Sequence, residues 1–296
     1  MVIIQLAGGL GNQMFQYALY LQLKDLGREV KIDDVSGFAE DSQRVPTLAP
    51  FGITYERPSR KELQKMLDSS MLPWHRVRRK LFGRHKKSYF EQGKLFIPEV
   101  LTWDDIYLEG YWQTEKYFQP VEKQVREAYD TDRLAAYLKR AGQYLQGIDN
   151  TCSVSVHVRR GDYLDAVNAA MFGGICTETY YDTCVNYIKE NCPGAVFYVF
   201  SDDAAYVRAH FKGEEFHIVD WNREKESFYD MQLMSCCRHH ICANSTFSFW
   251  GARLNGKLDK IMIRPSIHKN TQTCVPEEMK KLWAGWTLVT PVGTVI

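Results

Sequence analysis

Ser153-Val-Ser-Val-His-Val-Arg-Arg-Gly-Asp-Tyr163 decides the fold of this chain. Val154, Val156 and Val158 alternate with Ser155 and His157, so the first six residues read as a β-strand with one apolar face. The strand ends on two arginines and a glycine. In an open α/β sheet, ligands bind outside the carboxyl ends of the strands, so Arg159 and Arg160 are delivered to where a ligand would sit. A guanidinium presents a planar fork of donors that matches phosphate oxygens. Taken alone, the pair reads as readily as a surface ion pair with Asp162.

Working outward, strands and helices alternate along the whole chain, which predicts a parallel α/β architecture. Residues 2–7 read as a first strand, 12–26 as a helix with Phe15, Leu19 and Leu23 at helical spacing, and 30–33 as a second strand. Ser59-Arg-Lys-Glu62 is a capping box that opens a helix. The segment 68–98 is basic and reads as an elaborated loop. A strand at 106–109 precedes a helix from about Thr114, and a further helix is expected at 132–146. Beyond the opening strand come a helix at 177–191, strands at 196–200 and 216–219, a helix at 226–237, and strands at 240–243 and 261–263. The polar run Gly147-Ile-Asp-Asn-Thr151 reads as a linker. The chain of 296 residues then divides into a domain at 1–150 and a domain at 151–296, with a ligand-binding cleft between them.

Bulk properties narrow the class. Hydrophobic residues make up 45% and charged residues 25%, which suits a soluble globular protein. A net charge of +1 supplies no basic field for nucleic acid. The one local excess is the basic segment 75–87. It reads as a solvated face, with contact to an anionic membrane surface as the alternative. Met1 leads straight into a strand, without the charged and apolar regions of a secretory signal, so a cytoplasmic location is expected. The eight cysteines are accordingly expected as free thiols. Cys236-Cys-Arg-His-His-Ile-Cys242 lacks a C-x-x-C spacing, and no metal is expected there.

Four strand-end loops carry the chemistry. Ala7-Gly-Gly-Leu-Gly-Asn-Gln13 lets backbone approach an anion at a helix N-terminus. It misses the third glycine of a dinucleotide fingerprint, where Met14 stands, and Asp33 and Asp34 are the only acids arguable as ribose partners. The arginine pair is the second loop. Phe200-Ser-Asp-Asp203 offers carboxylates that would accept from a guanine edge, or simply cap the next helix. Ala243-Asn-Ser-Thr-Phe-Ser248 follows a strand and opens a helix, a good anion site and equally an ordinary cap. The Asp130-Thr-Asp132 run matches a metal-binding D-x-D superficially and reads as the cap of the next helix. Together the four loops read as a nucleotide-diphosphate site in which arginines replace a metal.

At this point the residues resemble a known family. Gly8-Gly-Leu-Gly-Asn-Gln-Met-Phe-Gln-Tyr-Ala18, His157-Val-Arg-Arg-Gly-Asp-Tyr163, Phe200-Ser-Asp-Asp203 and Ala243-Asn-Ser-Thr-Phe-Ser-Phe-Trp-Gly-Ala252 resemble the α-1,2-fucosyltransferases of glycosyltransferase family 11. Gly110-Tyr-Trp-Gln113 and Ser227-Phe-Tyr-Asp-Met-Gln-Leu-Met-Ser235 are similar to that family too, and Phe249 stands where it often has tryptophan. The resemblance implies a GT-B-like fold of two Rossmann-like domains facing across a cleft, with 1–150 on the acceptor side and 151–296 binding the donor. It implies GDP-β-L-fucose as donor, a terminal β-galactose in a glycan as acceptor, inversion at the anomeric carbon, and neither metal nor cofactor. Arg159 would grip the β-phosphate, supported by Arg160 and His157. Asp203 with Asp202 would read guanine. Asn244, Ser245, Thr246 and Ser248 would line the phosphate and ribose. Gly9, Gly11, Asn12 and Gln13 would approach from the first domain. Asp162 is the first candidate for the catalytic base, or else a partner of the arginines. A bacterial, cytoplasmic chain is expected, with the inner face of the membrane as a second location. A protein O-fucosyltransferase and a non-catalytic binder are the alternatives.

Overall fold

The first strand of the chain, β1 (Val2–Gln5), lies at the centre of a parallel sheet because Val2, Ile3 and Ile4 are apolar without alternation, and all three are fully buried. This is seen in a computed structural model of the chain. It describes residues 1–41, 44–92, 96–130, 147–148, 152–222, 228–271 and 275–296, with Asp162 described through its backbone alone. The described residues fall into two units, Met1–Asp130 and Thr131–Ile296. The division thus comes ahead of the polar run that reads as a linker in the sequence.

In the first unit β1 is followed by α1 (Leu10–Asp25), β2 (Val30–Asp33), α2 (Arg60–Met66), α3 (Pro73–Phe82), β3 (Ser88–Phe90), β4 (Ile106–Glu109) and α4 (Glu122–Tyr129). The strands form a parallel sheet in the order β2-β1-β4-β3. Helix α1 closes with a Schellman pair, Gly27 N–H to Lys24 O at 2.9 Å and Arg28 N–H to Leu23 O at 3.0 Å. The capping box at Ser59 and Glu62 forms as the sequence predicts. Segment 68–98 departs from the expected loop: it contains α3 and β3. The apolar residues Trp74, Val77 and Leu81 of α3 recur at helical spacing within a run dominated by basic residues. Between β4 and α4, two short 3₁₀ turns, Glu115–Tyr117 and Gln119–Val121, replace the start of the expected helix.

The second unit contains β5 (Ser153–Val158), α5 (Ala166–Phe172), α6 (Glu178–Asn191), β6 (Val196–Ser201), α7 (Ala204–His210), β7 (Phe216–Val219), α8 (Phe228–Cys236), β8 (His239–Ile241), α9 (Thr246–Leu254), β9 (Met262–Pro265), α10 (Pro276–Leu282) and β10 (Thr287–Val289). The parallel sheet runs β10-β9-β8-β5-β6-β7. Counted from β5, that is the doubly wound order 3-2-1-4-5-6. The expected helix at 132–146 lies outside the described residues.

Strand β5 is buried on both faces, not on one. It is the central strand, with β6 and β8 as neighbours. Ser155 is tolerated there because its hydroxyl meets His240 Nδ1 at 2.8 Å. Cys152 and Cys192 are joined as a disulfide with their Cα atoms 6.5 Å apart, which corrects the expectation of free thiols. The pairing of Ser153 with Val196 sets the start of β5 beside the chain leaving α6, and a compartment argument is blind to that proximity. Cys152, Cys192 and His239 also form the His/Cys cluster compact enough for a metal among the described residues. His239 Nδ1 accepts from Ile261 N–H at 2.9 Å, which leaves the ring's proton on Nε2 and opposes ligation through that nitrogen.

Candidate active site

The switch point of the second sheet lies between β5 and β8, where the strand order reverses, and ligands bind outside that point at the carboxyl edge. The segments leaving these two strands run from Arg159 to Tyr163 and from Cys242 to Ser245. Tyr163 spans them: its hydroxyl donates to Asn244 O at 3.2 Å and its ring stacks on Phe172 at 4.9 Å. Arg159 lies over the Tyr163 ring, 5.8 Å from its centre.

Strand β6 ends beside β5 and supplies two acids to the two arginines. Asp202 Oδ2 is 2.8 Å from Arg159 Nη1, and Asp202 Oδ1 accepts from the Arg160 backbone N–H at 2.8 Å. Asp203 Oδ2 accepts from Arg160 Nε at 3.0 Å, while Asp203 Oδ1 accepts from Tyr206 N–H and caps α7. Those bonds, the Tyr206 amide first and Arg160 after it, hold the Asp203 carboxyl below its ordinary range. The Arg160 guanidinium carbon lies over the Tyr206 ring, 3.9 Å from its centre. Gly161 is required by this packing: a Cβ built there would lie 2.6 Å from Asp202 Oδ2. The result is a pair of cations aimed by acids and aromatics, each only about one-third exposed.

His157 is buried beneath them, and no hydrogen-bond partner is found for its Nδ1. Burial, and then the Arg159 charge, push its pKa down to about 4, so the ring is neutral. Its carbonyl accepts from Tyr181 and its ring packs 5.5 Å from Phe247.

The β8 loop is more structural than the sequence suggests. Asn244 is buried and donates through Nδ2 to Phe172 O and His268 O, which ties three loops together. Ser248 is buried and donates back to Ser245 O or Ala243 O. Ser245 caps α9 through Phe247 N–H at 3.2 Å. Ser245 and Thr246 are the two partly exposed residues of the four.

In the first unit the glycine loop leaves β1 beside the loop leaving its neighbour β4. Gly8 takes φ 75°, and a Cβ there would meet Asn12 Nδ2 at 2.6 Å and the Tyr111 ring at 3.0 Å. Gly9 is the N-cap of α1 and has open space over its Cα. Gly11 is buried in the first turn. Asn12 Oδ1 accepts from Gln113 Nε2 at 2.8 Å. Gln13 is fully buried, and both its donors go to backbone, Gly8 O and Val45 O, while its Oε1 accepts from Thr47 N–H. It therefore shapes the loop. Gln16 does the same toward Gly110 O and Ala7 N–H. Trp112 adopts φ 55°, and Glu91 accepts from both Tyr111 and Trp112 amides, so this aromatic loop is held in a costly conformation that leaves Tyr111 40% exposed. The dinucleotide alternative loses its acids: Asp33 accepts from Val35, Ser36 and Tyr107, and Asp34 pairs with Arg57.

Of the residues singled out from sequence, the structure gathers His157, Arg159, Arg160, Asp202 and Asp203 at one edge, with Asn244, Ser245, Thr246 and Ser248 across the switch point. Gly9, Gly11, Asn12 and Gln13 group separately in the first unit. The side chain of Asp162 and the whole of Asp132 lie outside the described residues. A further acid, Asp230, stands in the first turn of α8, the helix between β7 and β8. Burial pushes its pKa up to about 7, and Asn222 Nδ2 donates to it at 2.7 Å. The family-like run around it was the available signal.

Family comparison accounts for this constellation. The model of glycosyl transferase family 11 matches residues 1–288. The chain belongs to that family and is a glycosyltransferase. It is 33% identical to the O-antigen biosynthesis glycosyltransferase WbnK of Escherichia coli, over 88% of this chain and 92% of that one. It is 30% identical to the alpha-1,2-colitosyltransferase of Escherichia coli, over 90% and 91% respectively. Galactoside alpha-(1,2)-fucosyltransferase 1 of Saimiri boliviensis boliviensis is 28% identical over 84% of this chain and 64% of its own length. Among the described residues no helix is long and apolar enough to cross a membrane.

Proposed function

We propose that the protein transfers L-fucose from GDP-β-L-fucose to the 2-hydroxyl of a terminal β-galactose, with inversion and without a metal. The observation that carries this reading is the Arg159–Arg160 pair, aimed by Asp202 and Asp203 at the switch point of a doubly wound sheet. In a single displacement the acceptor oxygen bonds to the anomeric carbon as the bond to the β-phosphate breaks. Negative charge grows on that phosphate, so donors already in place there stabilise the transition state more than the ground state. Arg159 takes the β-phosphate and Arg160 the neighbouring one. Neutral His157 supplies a ring N–H beneath them. Ser245 and Thr246 at the start of α9 meet the remaining oxygens.

Asp203, with Asp202, accepts from guanine N1–H and N2–H through the lone pairs that the arginines and the cap leave free. Asp230, when ionised, is a second candidate for that role. Gly9, Asn12 and the Tyr111 ring serve the acceptor sugar, the aromatic face covering its apolar side. The proton of the acceptor hydroxyl passes to Asp162.

A colitose donor is the second reading, favoured by the identity to the colitosyltransferase over 91% of that chain. Colitose lacks the 3-hydroxyl of fucose, so the donors are separable by assay. Purified protein incubated with lactose or N-acetyllactosamine and each nucleotide sugar, followed by mass spectrometry and linkage analysis, decides the matter. An α-1,2-fucosylated product supports the reading. Transfer from the colitose donor alone, or guanine nucleotide binding with no transfer to any galactoside, overturns it.

A further inference from the structure

Helix α3 buries none of its residues. Trp74, Val77, Leu81 and Phe82 are exposed by 65%, 58%, 69% and 70%. At 3.6 residues per turn, Val77, Leu81 and Trp74 fall within an arc of about 60°. Arg79 stands on the opposite side and tethers the helix: its Nη2 donates to Ser70 O at 2.7 Å and its Nη1 lies 3.7 Å from Asp68. Asp68 also pairs with Arg78 and accepts from His85 N–H. The tethered face is therefore basic, and the apolar stripe is turned outward.

The helix and the chain on either side of it carry one sign of charge. No acidic residue occurs between Asp68 and Glu91. Arg76, Lys80, Arg84 and Lys86 are exposed beside it. An outward stripe of tryptophan, leucine and valine is unfavourable in water. A second copy of the chain would set these cations against one another. A nucleic acid would satisfy the cations and leave the stripe wet. The head-group and acyl boundary of an anionic bilayer satisfies both at once, because acyl chains take the stripe while lysines and arginines reach the phosphates.

We propose that α3 is an interfacial anchor that lays Trp74, Val77 and Leu81 into the surface of an anionic phospholipid bilayer. The test is co-sedimentation of the full chain with vesicles of equimolar phosphatidylcholine and phosphatidylglycerol, against vesicles of phosphatidylcholine alone. Binding is expected to the first and not the second, and to fall as salt shortens the screening length to a few Å near 1 M. The double variant Trp74→Ser/Leu81→Ser is expected to partition at least ~10-fold less, with unchanged melting temperature because both side chains are exposed. Brominated lipids should quench wild-type fluorescence more than that of Trp74→Phe, which keeps the fold and removes the reporter. Equal partition of the double variant, equal quenching of Trp74→Phe, no vesicle binding, or a lipid-free dimer abolished by the double variant would each overturn the proposal.

Discussion

Asp202 stands 2.8 Å from Arg159 Nη1 and also accepts from the backbone of Arg160, so one carboxylate sets the register of both cations. The contact crosses from β6 to β5 and is held by the parallel pairing of Val158 with Ser201. A partly exposed ion pair of this kind adds about 1 kcal/mol or less to stability. Its worth lies in orientation.

Replacing Asp202 with Asn should therefore separate stability from catalysis. The amide still accepts from Arg160 N–H but no longer anchors the Arg159 charge. Turnover should fall ~10-fold or more with little change in melting temperature. Arg159→Ala should lose ~10²–10³-fold in turnover, as for removal of one oxyanion donor, and Arg159→Lys should not restore it, because lysine lacks the fork. Steady-state rates with the fucosyl donor check all three, and wild-type turnover in Arg159→Ala would remove the arginine from the mechanism.

Gly161→Ala probes the same register sterically. The added Cβ would sit 2.6 Å from Asp202 Oδ2, so the carboxylate must move off the arginines. Nucleotide affinity should drop ~10-fold or more by calorimetry with GDP. Gly9→Ala, with nothing within 4 Å of its added Cβ, should leave GDP affinity unchanged.

Two buried groups tilt the pH dependence of stability in opposite directions. His157 is held neutral down to about 4, whereas a free histidine takes a proton near 6.5. Between those values the unfolded chain binds the extra proton, so stability falls as pH drops through that window. Asp230 keeps its proton up to about 7, whereas a free aspartate loses it near 3.9. There the folded chain binds the extra proton, so stability falls as pH rises through that window. Asp230→Asn should remove the second slope and stabilise the protein more near pH 8 than near pH 4. Melting curves across that range check the sign. The same variant should weaken GDP binding if Asp230 reads guanine.

Metal chelation should leave transfer unchanged. The proposed leaving-group stabilisation rests on Arg159 and Arg160. A rate that collapses in EDTA and returns with a divalent cation would show that arginines alone do not neutralise the diphosphate.

The fold was largely legible because both sheets are parallel and the periods are plain. Val154, Val156 and Val158 mark their strand, and Phe15, Leu19 and Leu23 mark their helix. Motifs at strand ends could be located for the same reason. The roles of individual side chains were less legible. Gln13 and Asn244 look like ligand groups in a row of letters and turn out to be spent on backbone. Helix α3 is weakly legible because its short apolar stripe, Trp74, Val77 and Leu81, is set among basic residues.

By itself the sequence determined which residues share a strand end, since local periodicity sets that within a few residues. Only the tertiary structure decided which acid meets which arginine, that Cys152 meets Cys192, and which way the stripe of α3 faces. Those contacts join residues far apart in the chain, 42 residues for Arg160 and Asp202. Sheet order creates them, and no local preference encodes it.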